Sequence, residues 1–63
     1  NDFVGLEARY RYAELLYEDG HPDRARVELE RVVDHARRFR VGPEEREWAK
    51  LARQGLAMLG NPA

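Results

Sequence analysis

The sequence predicts an all-α fold, an antiparallel helical hairpin followed by a third, capping helix. The first reason is composition: Ala, Leu, Glu and Arg are abundant, Ile and Thr are absent, and the few valines are scattered. Those abundant residues favour helix, whereas β-branched residues favour strands. The second reason is that two corners, Gly20-His21-Pro22 and Gly42-Pro43, separate three segments whose apolar residues recur with helical spacing.

The length of 63 residues predicts a single domain near the lower size limit for a self-sufficient core. No cysteine is present, which excludes stabilisation by disulfides or thiolate zinc sites. We therefore expect oligomerisation, or attachment to more protein, to supply the missing stability. Because the chain begins Asn1-Asp2 without methionine, we also expect it to be a fragment of a longer protein.

The charge balance of 11 basic against 12 acidic residues gives a formal net charge of -1. Such a chain has no overall field that attracts nucleic acid or an anionic membrane, so any electrostatic role is local. The sequence contains neither an apolar run of about 18 residues nor a signal segment. We expect no membrane contact by this segment and favour a cytoplasmic location for it, while the parent chain is free to carry an anchor.

The first helix is predicted over residues 4–18. Its start is either capped by Asp2 or falls near Leu6, after Gly5. At about 100° per residue, its apolar residues span roughly 220°, interrupted by Arg9. One partner helix cannot cover an arc this wide, formed by Leu6, Tyr10, Tyr12, Ala13, Leu15, Leu16 and Tyr17.

The corner into the second helix, predicted over residues 22–40, follows known capping chemistry. Gly20 suits the left-handed residue after a helix end, His21 takes the N-cap position and Pro22 the first helical position. The apolar stripe spans only about 120° and comprises Ala25, Leu29, Val32, Val33, Ala36 and Phe39. The outer face is expected to carry i,i+4 ion pairs, namely Arg24/Glu28, Arg26/Glu30 and Asp34/Arg38.

The third helix, predicted over residues 43–59, starts in the same way. Pro43 takes the first position, Glu44 and Glu45 face the positive helix end, and Gly60 stops the helix. Its broad apolar side is formed by Trp48, Leu51, Ala52, Gly55, Leu56, Met58 and Leu59.

The hairpin carries small and large apolar residues at fixed spacing, at Tyr12-Ala13, Leu16, Gly20, Ala25, Leu29 and Val32. In this spacing the chain resembles the tetratricopeptide repeat family over about one repeat of roughly 34 residues, from Leu6 to Phe39. It departs from the pattern at Arg9, where an aromatic residue is expected, at Val32, where a second alanine is usual, and near Arg37, where a proline is expected. The third helix, with Trp48, Leu51 and Ala52 at the family's aromatic, leucine and small positions, is similar to the helix that closes such arrays.

The resemblance implies a protein-protein interaction module, a scaffold without catalytic activity. Carried over position by position, the family's concave groove would expose Glu7, Tyr10, Glu14, Tyr17 and Glu18, a seat for a peptide with basic residues. The alternative is that Tyr10 and Tyr17 complete the core against the third helix. The chain also resembles, more distantly, the C-terminal end of uncharacterised bacterial tetratricopeptide proteins, which implies a role in assembly.

Catalysis is disfavoured because the sequence has no serine, threonine or cysteine to act as a nucleophile. His21 and His35 are 14 residues apart and lack the spacing of a zinc site, so neither a metal nor a cofactor is expected. They are interpreted as a turn residue and a helix-face residue.

One local basic run, Arg37-Arg38-Phe39-Arg40, allows a different function. Its arginines could bind nucleic acid or an acidic partner, with Phe39 available for stacking. The structural interpretation, favoured here, is that basic residues complement the negative end of the second helix while Phe39 joins the core stripe.

The predicted first and third helices have more apolar surface than a bundle of this size buries. Neighbouring repeats of the parent chain, or a second copy, would cover the remainder. We expect the isolated chain to form a homodimer, either face to face or by exchange of the third helix across Val41-Gly42-Pro43.

Overall fold

The computed structural model describes residues 5–60 and confirms the all-α fold. Its three helices are α1 (Leu6–Glu18), α2 (Pro22–Arg38) and α3 (Pro43–Leu59). Helix α2 packs against both α1 and α3, which contact each other less extensively. The predicted N-cap residue Asp2 and the predicted first helical residue Val4 lie outside the described residues. Helix α1 begins after Gly5, which makes no side-chain cap hydrogen bond.

The corner between α1 and α2 forms as the sequence predicts. Gly20 has φ 84°, in the left-handed region that favours glycine. Its N–H donates to the carbonyl of Tyr17 at 3.1 Å, and the N–H of His21 donates to the carbonyl of Leu16 at 2.8 Å. This pair of hydrogen bonds is the Schellman arrangement, which satisfies carbonyls left free at a helix end. Pro22 then opens α2 at its first position.

The start of α3 is stabilised by its own first turn. The backbone N–H of Gly42 donates to Oε1 of Glu45 at 3.1 Å. This is one half of a capping box, and glycine has no side chain to supply the other half. Glu44 and Glu45 also place negative charge at the positive end of the helix.

The core combines alanines with larger aliphatic residues in equal number. Four of the eight buried apolar residues are alanines, contributed by all three helices. Larger side chains pack around this centre as partly buried neighbours. The buried set is Leu6, Ala13, Leu16, Ala25, Leu29, Val32, Ala49 and Ala52.

The prediction that Phe39 belongs to the core stripe is wrong. Helix α2 ends at Arg38, two residues before the predicted end, and Phe39 is its C-cap with extended backbone angles. The Phe39 side chain is 58% exposed. Periodicity places residue 39 on the apolar face only while the helix continues, and the path toward Gly42 takes this residue out of the helix.

Two of the three expected ion pairs on α2 are replaced by tertiary contacts. Glu28 binds Nη1 of Arg9 on α1 at 2.8 Å instead of Arg24, and it also lies 3.5 Å from Nη1 of Arg31 on its own helix. Arg26 donates to the backbone carbonyl of Leu59 at 3.1 Å instead of pairing with Glu30. The expected pair of Asp34 and Arg38 does form, at 3.1 Å. Long arginine side chains reach the neighbouring helix, so spacing within one helix does not decide their partners.

We expect Gly20→Ala to destabilise the fold by about 1–2 kcal/mol, the usual cost of a left-handed backbone for a residue with a Cβ atom. Because no atom lies within 4 Å of a Cβ placed there, the cost is conformational and not steric. Urea unfolding measures it. Gly20→Asn is the matched control, since asparagine tolerates this conformation and should cost less. Equal losses for the two variants would contradict this explanation.

Candidate peptide-binding cleft

A cleft of about 280 Å³ lies between α1 and α3, above α2. Its floor is apolar because Ala13, Ala25 and Leu29 are buried core residues. All three helices contribute to the lining, which comprises Tyr10, Ala13, Glu14, Tyr17, Glu18, Ala25, Leu29, Gly55, Met58 and Leu59.

Gly55 allows α3 to approach α2 closely beside the cleft. It has no side chain, and a Cβ atom built there would lie 3.1 Å from Cδ1 of Leu29, a tight contact. Helix α3 therefore passes close over α2 at this point. Gly55 lines the cleft together with Tyr17 of α1 and Met58 of α3.

Tyr10 forms a fixed part of one wall. Its ring contacts Trp48 of α3 with ring centroids 5.5 Å apart and planes inclined at 44°. The guanidinium of Arg11 lies over the Trp48 ring, 5.4 Å from its centroid. Burial raises the pKa of the Tyr10 phenol, and the nearby Glu14 carboxylate raises this pKa further. Like that of an ordinary tyrosine, the phenol is protonated at neutral pH and can donate a hydrogen bond.

The two rims of the cleft differ in chemistry. The α1 rim carries two exposed carboxylates, Glu14 and Glu18, and the exposed ring of Tyr17. The α3 rim is apolar: Met58 is 77% exposed and Leu59 is half-buried. A ligand lying in the cleft would therefore meet negative charge along one edge and apolar surface along the other.

The structure brings four of the five predicted groove residues together, Tyr10, Glu14, Tyr17 and Glu18. Glu7 does not line this cleft; it is exposed and pairs with Nε of Arg11 at 3.0 Å. The alternative prediction is that Tyr10 and Tyr17 pack into the core against the third helix. Tyr10 does pack against Trp48 of that helix, whereas Tyr17 is 58% exposed. Sequence reasoning did not assign Gly55, Met58 and Leu59 to the groove, although the wide apolar arc of the third helix was the signal that could have done so.

The basic run lies at the opposite end of α2 from the Gly20 corner. Arg37, Arg38 and Arg40 are all exposed. Arg38 is paired with Asp34, and the exposed ring of Phe39 contacts the imidazole of His35, with ring centroids 4.7 Å apart. Basic side chains and an accessible aromatic ring therefore share one patch.

A third surface, the outer stripe, consists of Ala8, Tyr12 and Leu15 on α1. The spacing i, i+4, i+7 places them on one face of the helix. All three are exposed, Leu15 by 59%. In contrast, the outer face of α3 is mainly polar, with exposed Arg46, Lys50, Arg53 and Ala57.

Comparisons with protein-family models, with curated protein sequences and with solved structures found no match to this chain. The resemblance to the tetratricopeptide family therefore rests on the residues themselves. Two further observations concern residues 5–60. None of the three helices is long and apolar enough to cross a membrane, and no group of three or more His, Asp or Glu side chains is arranged to hold a metal ion.

Proposed function

We propose that this chain is a non-catalytic protein-protein interaction and assembly module of the tetratricopeptide type. The observation that carries the proposal is the α1–α3 cleft, with its apolar floor and exposed Tyr17 and Met58. Its volume of about 280 Å³ lies below the range of roughly 300–1,000 Å³ typical of small-molecule sites. A cleft of this size accommodates one or two side chains of a bound peptide.

The packing of α1 against α2 supports the family assignment. The family's small and large apolar positions at Ala13, Leu16, Ala25, Leu29 and Val32 are all buried. Tyr12, which also matches the pattern, is exposed on the outer stripe, the face on which a preceding hairpin would pack in an array. The buried residues of the pattern therefore hold one hairpin together, and the exposed residue, Tyr12, is available to pack against a neighbouring hairpin.

Selection of a random peptide library on the immobilised chain tests the cleft. We expect the enriched peptides to bind Tyr17→Ala/Met58→Ala at least about tenfold more weakly, because truncation of a central aromatic or large apolar contact commonly costs more than about 1 kcal/mol. Both side chains are exposed, so the double variant should fold normally. Val27→Ala, an exposed position on α2 outside the cleft, is the control. Equal binding by the wild type and the double variant would rule out the cleft.

We propose that the isolated chain also self-associates through the outer stripe. The polar outer face of α3 is a poor partner for Tyr12 and Leu15, whereas the same stripe of a second copy is a suitable one. In a dimer with two-fold symmetry, the outer stripe of each copy packs against the outer stripe of the other, so both stripes are covered.

Sedimentation equilibrium tests this pairing. We expect a dimer at micromolar concentration and a shift toward monomer in Leu15→Glu, because the variant places two like charges in the interface. Leu15 is mainly exposed, so the substitution should leave the monomer folded, and circular dichroism checks this. A compact 7.4 kDa monomer of the wild type at high concentration would contradict the proposal.

The basic patch supports a second candidate function, binding of nucleic acid or of an acidic partner. The favouring observation is that Phe39 is exposed and therefore accessible for stacking, beside Arg37 and Arg40. Base stacking on an aromatic side chain contributes roughly 1–3 kcal/mol per base.

Fluorescence anisotropy with labelled single-stranded oligonucleotides tests this second candidate. If it is correct, replacing Arg37, Arg38 and Arg40 by Gln should weaken binding and flatten the dependence of affinity on salt, because fewer counterions are released. Arg46→Gln/Arg53→Gln on the outer face of α3 is the control. Absence of binding by the wild type at low salt would eliminate this function.

A further inference from the structure

The two rims of the cleft restrict the ligand that it accepts. The inference drawn below, which names the class of peptide that the cleft binds, rests on the proposed function of the same cleft. Glu14 and Glu18 are the charged residues of the lining, and both are on α1. The side chains that reach the cleft from α2 and α3, those of Ala25, Leu29, Met58 and Leu59, are apolar.

The spacing of the two carboxylates adds a second restriction. Glu14 and Glu18 are separated by four residues of helix, which corresponds to about 6 Å along the axis. Two basic residues of a ligand match this distance when they stand at i and i+4 of a helix, or at i and i+2 of an extended strand with a repeat of about 6.7 Å. Two basic residues that are adjacent in the peptide sequence point in different directions in both a helix and a strand, so they cannot both face the α1 rim.

The floor supplies the third restriction. Ala13 and Ala25 are almost fully buried, so their methyl groups form a shallow apolar base between Tyr17 and Met58. A polar side chain inserted here would lose its hydration without gaining a partner from that base. An aliphatic side chain would instead cover the exposed apolar surface of Tyr17 and Met58.

We propose that the cleft binds a peptide that inserts one aliphatic side chain over Ala13 and Gly55 and pairs two basic residues, about 6 Å apart, with Glu14 and Glu18. The two carboxylates fix the orientation of the peptide in the cleft. Its basic side lies along α1, and its apolar side lies along Met58 and Leu59 of α3. An acidic peptide of the same shape is repelled by the α1 rim.

Three synthetic helical peptides of equal length test the proposal against the 63-residue chain. The first carries leucines with lysines at i and i+4, the second replaces those lysines by glutamates, and the third keeps the lysines but replaces the leucines by serines. Binding is followed by the amide chemical shifts of Gly55 and Met58 in isotope-labelled protein and by affinity at low and high salt. We expect only the first peptide to shift these amides at low peptide concentration, with weaker binding at high salt.

Charge variants complete the test. Glu14→Gln/Glu18→Gln should weaken binding of the first peptide roughly three- to tenfold and reduce its salt dependence, as expected for exposed charge pairs. Glu7→Gln, on the same helix but outside the cleft, is the matched control and should leave binding unchanged.

The outcomes separate this inference from the proposed function. If the glutamate peptide binds in the cleft as tightly as the lysine peptide, or if the double charge variant binds normally, the charge assignment is overturned while the cleft stands as an interaction site. Equal binding of the serine peptide overturns the aliphatic insertion. If neither leucine peptide shifts Gly55 and Met58 at any salt concentration, the cleft itself fails as a docking site.

Discussion

The close approach of three helices through buried alanines determines the remainder of this structure. Ala13, Ala25, Ala49 and Ala52 occupy the centre, where a larger side chain would separate the helices. Three leucines and a valine complete the buried set, while several other large apolar side chains lie outside it. The α1–α3 cleft and the outer stripe are consequences of that arrangement, so the features proposed to bind partners follow from the same packing that holds the fold together.

The sequence predicted the helices and the corners well because their signals are local. Gly20 and Pro22 act through their own backbone conformations, and the observed helix bounds follow them closely. Periodicity failed where a tertiary contact or a helix end intervened. Arg9 interrupts the apolar arc in a helical projection, yet in the fold it contacts Glu28 across the hairpin. Phe39 fits the stripe by spacing but lies beyond the last helical residue.

The candidate cleft could be anticipated only from the α1 side. Tyr10, Glu14, Tyr17 and Glu18 recur on one helical face, which sequence spacing reveals. The opposing wall depends on how α3 crosses α2, a close approach at which Gly55 leaves room for the side chain of Leu29. Glu7 shares a helix with the cleft residues but lies too near the start of α1 to reach the opening. Position along the crossing helices, and not only angular position, therefore selects the lining residues.

The hydrogen bond from Arg26 to the carbonyl of Leu59 bears on how the helices form as well as on where they lie. Helix α3 has no basic residue in its own last turn, so the positive charge at its C-terminal end comes from α2. Separated from α2, the last turn of α3 would lack this partner and would fray. Detachment of α3 from the hairpin would therefore remove both the apolar wall of the cleft and the partner that holds the last turn of that wall.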